Sequence, residues 1–185
     1  MRKTRTDAAA RAQRVHQYAV ARAVGLPPEK VALNMLYAGG SFGRRANPAS
    51  DFVIEAASIA KALAVPGKPG VPVKLIWTRE DDMKGGYYRP AYVHALAAGL
   101  DAQGNVTGWQ HRIVGQSIVA GTAFEAEMIK DGIDATSVEG ASTLPYDIPN
   151  LRVELHSPKV GVPVLWWRSV GSTHTAYSTE TFVDE

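Results

Sequence analysis

The sequence predicts an α+β fold, a two-layer mixed α/β domain, and three observations carry that expectation. Small apolar residues recur at helical spacing over 8–24 and again over 51–64. Short β-rich runs at 31–37 and 71–77 follow these stretches, each entered through proline or glycine. Two further runs, 91–100 and 105–118, flank the turn-forming Asp101-Ala-Gln-Gly104 and suggest a hairpin. Helix, strand, helix, strand and hairpin in that order describe helices layered on a sheet.

The elements are justified in order. Asp7 is a suitable N-cap for a helix over 8–24, with Ala12, Val15, Ala19 and Ala23 on one face. Gly25 can close it in a left-handed conformation, and Pro27-Pro28 forbids continuation. The run 31–37 then reads as a buried strand and Gly39-Gly-Ser-Phe-Gly-Arg-Arg45 as a loop. Ser50 or Asp51 can cap a second helix to about Ala64, whose face of Phe52, Ala56, Ile59 and Leu63 is widened by Val53, Ala57 and Ala60. So broad a face implies packing on two sides. Pro66 to Gly70 is a turn, 71–77 a strand and 78–83 a solvated acidic turn. A short helix near 124–130, strands at 151–156 and 162–167, and a helical stretch over 173–185 complete the chain. The last stretch ends at Asp184-Glu185 without a capping signal, so the natural chain is expected to continue.

Composition narrows the function classes. The chain has 185 residues, 45% hydrophobic and 21% charged, as ordinary globular domains have. No cysteine is present, so an iron–sulfur cluster or a Cys-ligated zinc cannot be built from these residues. Residues 1–45 hold nine Lys/Arg against Asp7 and Glu29, a formal +7, while the whole chain is only +2. That basic end suits an anionic ligand or an acidic partner, or is simply a solvated helix face. No nucleic-acid module accompanies it, and no nucleic acid is expected as a partner. No run is long enough for a membrane span.

Few motifs carry chemistry. Gly39, Gly40 and Gly43 strip side chains from around Phe42, so backbone N–H groups there can approach an anion or a cofactor edge; a structural tight turn is the alternative. The loop matches neither the Walker pattern nor the dinucleotide fingerprint. Of Arg44 and Arg45, one is expected to be an exposed loop-edge residue. Glu80-Asp-Asp82 is a poor metal cage, better explained by a salt bridge to Arg79 or Arg89. His16, His94, His111, His156 and His174 are scattered without ligand spacing, and no metal ligand or catalytic residue is assigned. Trp166-Trp-Arg-Ser-Val-Gly171 suggests a chain entering a tight turn from the core, with Arg168 and Gly171 facing a cofactor.

Taken in order, Gly25-Leu-Pro-Pro-Glu-Lys-Val31, Gly39-Gly-Ser-Phe-Gly-Arg-Arg45, Pro72-Val-Lys-Leu-Ile-Trp-Thr-Arg-Glu-Asp-Asp82, Tyr88-Arg-Pro90, Tyr146-Asp-Ile-Pro-Asn150 and Trp167-Arg-Ser-Val-Gly171 resemble one family. It is the molybdopterin-binding large subunit of the xanthine dehydrogenase and aldehyde oxidase family, in the branch of the isoquinoline 1-oxidoreductase β-subunit and related aldehyde dehydrogenases. The resemblance implies a seven-residue tail (1–7) and a partial molybdopterin-binding domain over 8–185, a fragment of a longer subunit. It implies cofactor contacts at Gly40, Ser41, Phe42, Gly43, Arg168 and Gly171, with the loop and the turn as neighbouring walls of one cavity. The implied cofactor is molybdenum-molybdopterin, as the cytosine dinucleotide, in the full-length parent and absent from this chain alone. Implied partners are an iron–sulfur small subunit and the remainder of the large subunit. The implied reaction oxidises an aldehyde or N-heteroaromatic substrate with water as the oxygen source. The bacterial cytoplasm and periplasm both remain open.

The sequence also departs from the family pattern. Ser41 stands where a glycine is common, Ala46 where many relatives carry a substrate-binding acid, and Val170 where an aromatic often precedes the last glycine of the turn. The Gly-x-Gly-Glu segment that supplies the general base has no counterpart, so the isolated chain is expected to be inactive. The alternative is a non-catalytic anion- or partner-binding domain.

Overall fold

The computed structural model describes residues 2–37 and 39–185, with side chains from Gln13 onward. Its chain divides into two compact units, residues 1–86 and 87–185. Helices and a mixed sheet make up an α+β protein, the predicted class.

In the first unit, α1 spans Arg2–Val24. It begins ahead of the predicted start, because Arg2 to Thr6 contains no helix breaker and Lys and Arg are good helix formers. The Asp7 cap lies outside the described side chains. Gly25 (φ 77°) terminates α1 in the left-handed conformation, donating to the Ala21 carbonyl, and Pro28–Lys30 forms one turn of 3-10 helix. Helix α2, Asp51–Ala62, packs on α1. Ser50 occupies the capping position at φ 55° but its hydroxyl does not cap; it meets His16 Nδ1 at 2.8 Å and so ties α2 to α1.

Two predicted strands are absent. Residues 31–37 and 71–77 carry no regular secondary structure and join no sheet among the described residues, and Leu36 (83% exposed) and Ile76 (69%) face solvent. An apolar run specifies burial, whereas a strand also needs a neighbour for its peptide groups, and that neighbour is not local. The inward residues of both runs, Val31, Leu33, Val73 and Leu75, line an open cleft of about 710 Å³ with Phe52, Val53 and Ala56 of α2. The broad apolar face of α2 is thus used twice, on α1 and on this cleft. The acidic turn predicted at 78–83 is instead α3, Arg79–Gly85, started by a capping box: Thr78 Oγ1 accepts from the Asp81 N–H, and the Asp81 carboxylate accepts from the Thr78 N–H at 2.9 Å. Asp81 therefore serves the helix end rather than a salt bridge to arginine.

In the second unit, β1 (Tyr92–Leu100) and β2 (Val106–Gly115) form the predicted hairpin, with Gly104 (φ 85°) in its turn and a register shift at Gly99/Leu100. β5 (Leu151–His156) adds in parallel to β2, giving the order β1-β2-β5. Between them lie α4 (Glu125–Met128) and the small ladder of β3 (Ile129–Lys130) and β4 (Ile133–Asp134). The strand predicted at 162–167 reduces to one bridge, Tyr88 to Val164, since Pro163 cannot donate to a ladder. Helix α5, Ser172–Asp184, ends the chain.

Period-two burial along β2 puts Trp109, His111 and Ile113 on the inner face. Ile113 is fully buried with Val138 and Ala141, and Tyr92, Val153 and Leu155 pack around them. Trp109 meets Phe182 edge-on at 5.1 Å, which seats α5 on the sheet. Asp134 is buried and accepts from Ser117, Thr136 and Ser137 hydroxyls, satisfying its carboxylate in an otherwise apolar setting.

Candidate functional site

The residues singled out from sequence fall into two groups, one in each unit. Gly40, Ser41, Phe42 and Gly43 lie in the first, on the loop between segment 31–37 and α2. Arg168 and Gly171 lie in the second, on the turn that opens α5.

The glycine loop bends through three left-handed residues, Gly40 (φ 125°), Phe42 (φ 47°) and Gly43 (φ 101°). Only glycine takes such angles freely, and Phe42 does so at a cost. A Cβ on Gly40 would stand 2.9 Å from the Phe42 ring, so the ring fills the space where a side chain would be. Arg44–Ala46 then forms one 3-10 turn, its first N–H donating to the Ser41 carbonyl. Among the described residues, the N–H groups of Gly40, Ser41, Phe42 and Gly43 meet no acceptor. Four successive amides turned away from the fold's own hydrogen bonds are a main-chain surface for an anionic or oxygen-rich group. The loop therefore fits a phosphate or another anionic group.

Arg44 and Arg45 separate as expected. Arg44 makes two hydrogen bonds to the Asp51 carboxylate, at 2.7 and 3.1 Å, which braces the loop against the start of α2. Burial works against ionisation of Asp51, but hydrogen bonds from Arg44 and the Phe52 N–H outweigh it and hold the carboxyl below its ordinary range. Arg45 is the exposed member.

The turn in the second unit is held from three sides. Ser169 (φ 67°) and Val170 (φ 39°) are left-handed residues without the freedom of glycine. The Gly171 N–H donates to the Glu139 carboxylate at 3.1 Å, and Thr175 Oγ1 donates to the Glu139 carbonyl at 2.6 Å. The Arg89 guanidinium donates to Thr173 Oγ1 at 2.7 Å and to the Arg168 carbonyl at 3.3 Å, and lies 5.6 Å above the Trp167 ring. The Arg168 side chain is left exposed at the tip, free to meet a phosphate or a carboxylate. Of the tryptophans, Trp166 meets Phe124 edge-on and Trp167 lies nearer the surface. Sequence alone singled out neither Arg89 nor Glu139 for this turn, because each acts across a long stretch of chain. The Tyr88-Arg-Pro90 motif was the available signal for the first.

The histidines are less scattered than their positions suggest. His94, His111 and His174 meet on the inner face of the sheet, through His94 Nδ1 to His111 Nε2 at 2.8 Å and His94 Nε2 to His174 Nδ1 at 3.2 Å. Among the described residues no group of three or more acidic or histidine ligands is arranged to hold a metal ion. No helix among them is long and apolar enough to cross a membrane.

Comparison with known proteins gives these geometries a context. The family described as the molybdopterin cofactor-binding domain matches residues 6–185. The isoquinoline 1-oxidoreductase subunit beta of Brevundimonas diminuta is 28% identical over 172 residues, covering 92% of this chain and 21% of that protein. The membrane-bound aldehyde dehydrogenase [pyrroloquinoline-quinone] of Gluconacetobacter polyoxogenes is 32% identical over 173 residues, 90% of this chain and 21% of its own length. The 6-hydroxypseudooxynicotine dehydrogenase complex subunit gamma of Paenarthrobacter nicotinovorans is 29% identical over 167 residues, 89% and 19% respectively. The chain spans about a fifth of the length of the curated relatives it matches. The family match covers nearly the whole chain, both the glycine loop and the Arg168 turn included, and on that basis the chain belongs to the molybdopterin cofactor-binding domain family.

Proposed function

We propose that this chain is one part of the cofactor wall in the large subunit of a molybdenum hydroxylase. Its glycine loop would hold the pterin through main-chain amides, and in the second unit Arg168 and Gly171 are, by themselves, candidate cofactor-binding residues. The observation that carries this is the run of four N–H groups, Gly40 to Gly43, with no acceptor among the described residues. Phe42 would offer an apolar edge to the pterin rings, and Arg168 an exposed guanidinium for phosphate or an oxygen ligand. Arg44 and Asp51 would keep the loop fixed while the amides engage. Arg89 and Glu139 would do the same for the turn.

When bound, the molybdenum cofactor, in its cytosine dinucleotide form, supplies the oxidising centre. The substrate class we propose for the whole subunit is an aldehyde or an N-heteroaromatic compound, with water as the oxygen source. Relatives named as an aldehyde dehydrogenase and an isoquinoline oxidoreductase support that range. Relatives named as subunits support assembly with other chains, and we propose an iron–sulfur subunit among them to carry the electrons onward.

Amide hydrogen exchange on the intact subunit, purified with cofactor and from a host unable to make it, tests this reading. The amides of 40–43 and the turn 168–171 should be protected only in the cofactor-loaded protein. Equal exchange in both preparations would remove the loop from the cofactor site.

A further inference from the structure

Three imidazoles from three elements meet inside the second unit, and the proposed cofactor contacts use none of them. His111 of β2 is fully buried, and His94 of β1 and His174 of α5 are half-buried. They form a chain, His111 Nε2 to His94 Nδ1 and His94 Nε2 to His174 Nδ1, closed at one side by Tyr92, whose ring stacks on His174 at 3.6 Å. His174 lies three residues after Gly171, so this contact joins the start of α5 to the sheet.

Proton counting sets how such a chain behaves. Each N···N contact holds one proton, and three neutral imidazoles own three. The third must sit on an outer nitrogen, His111 Nδ1 or His174 Nε2. Both outer atoms are buried and without a partner among the described residues. One added proton fills the remaining outer nitrogen, leaving a buried charge and two unmet donors. A second added proton has no place unless an N···N contact breaks. The surroundings offer no relief. Arg89 adds positive charge beside His174, and Ser178 Oγ, 3.4 Å from His94, carries no charge. On the loop, Asp134 is taken up by Ser117, Thr136 and Ser137, and Glu139 by Gly171. On α5, Glu180 is taken up by Tyr146; on β2 and β5, Arg112 and Arg152 are paired with Glu154.

We propose that His94, His111 and His174 form an acid-sensitive latch that holds the start of α5 on the sheet while uncharged and releases it when the cluster takes up protons. Burial, followed by the His94 imidazole, brings His111 down to about 4; burial, the other two imidazoles and Arg89 bring His174 down to about 4. Burial also lowers His94. These groups bind protons more weakly in the folded chain than in the unfolded one, whose histidines titrate near 6.5. The latch is therefore fully closed above about 6.5 and weakens as pH falls toward about 4.

The test is a pH titration of the 185-residue chain, read by imidazole 15N shifts and by amide exchange along α5. The three rings should stay neutral through the ordinary histidine range. Exchange at Thr173 to Tyr177 should then rise by about tenfold or more as they protonate, while the β1–β2 ladder holds. His174→Phe, which keeps a ring against Tyr92 but binds no proton, should move the release to lower pH. Rings that titrate near 6.5 with α5 exchange unchanged would overturn the proposal, as would a His174→Phe chain releasing α5 at the wild-type pH. Should that variant fail to fold, the wild-type ring titration and exchange decide alone.

Discussion

The N–H of Gly171 donates to the carboxylate of Glu139 across 32 residues of chain, at 3.1 Å. This bond binds the first residue before α5 to the loop over the sheet, and the turn carrying Arg168 depends on it.

Gly171→Ala should destabilise the second unit. The added Cβ would stand 2.1 Å from the Thr136 carbonyl oxygen and 2.9 Å from Glu139 Cβ, and the first of these is backbone that cannot swing aside. A loss of about 1–3 kcal/mol is expected, by analogy with overpacked cores. Glu139→Gln, which keeps the shape and removes the charge, should cost about 1 kcal/mol. Thermal unfolding followed by near-UV circular dichroism ranks the two, and an Ala variant as stable as wild type would contradict the packing argument.

Gly43→Val should harm the loop far more than Arg45→Ala. Gly43 sits at φ 101°, where a β-branched residue is strained, whereas Arg45 is exposed. In the intact subunit, molybdenum and pterin content should fall for the Val variant and stay near wild type for the Ala variant. Equal losses would mean that the bend has no special importance.

Arg44→Ala should change the acid limb of stability. The folded Asp51 carboxyl is held low, so the ion pair contributes above the ordinary carboxylate range and is lost as pH falls through the lowered value. Both side chains keep some contact with solvent, which limits the contribution at neutral pH to about 1 kcal/mol or less. Wild type and variant should therefore differ at pH 7 and converge in strong acid. A constant gap between their unfolding curves at all pH values would exclude this linkage.

Thr78→Ala should loosen α3 alone. It removes the hydroxyl that accepts the Asp81 N–H, a cap worth about 1 kcal/mol. Exchange at Arg79–Gly85 should quicken while α1 and α2 keep their protection.

Much of the local structure was legible because its causes are local. Gly25 and Pro27-Pro28 stop α1, Asp101 to Gly104 turns the hairpin, and alternation along 106–115 sorts Trp109, His111 and Ile113 inward. The ordered motifs identified the family without any coordinates. The runs 31–37 and 71–77 form no strand for the opposite reason: their residues suit a sheet, but pairing is decided by a distant segment. The capping box at Thr78 is present in the sequence as Thr-x-x-Asp, but a run of three acids suits a solvated turn as well as a helix start.

The sequence by itself determined the fold class, the family and the glycine bend around Phe42, because turn chemistry and hydrophobic period act over a few residues. Tertiary structure alone decided that Glu139 and Arg89 brace the Arg168 turn and that three distant histidines meet through two N···N contacts on the inner face of the sheet. Those relations join residues tens of positions apart, and only the burial of side chains from separate elements in one core brings their polar atoms within bonding distance.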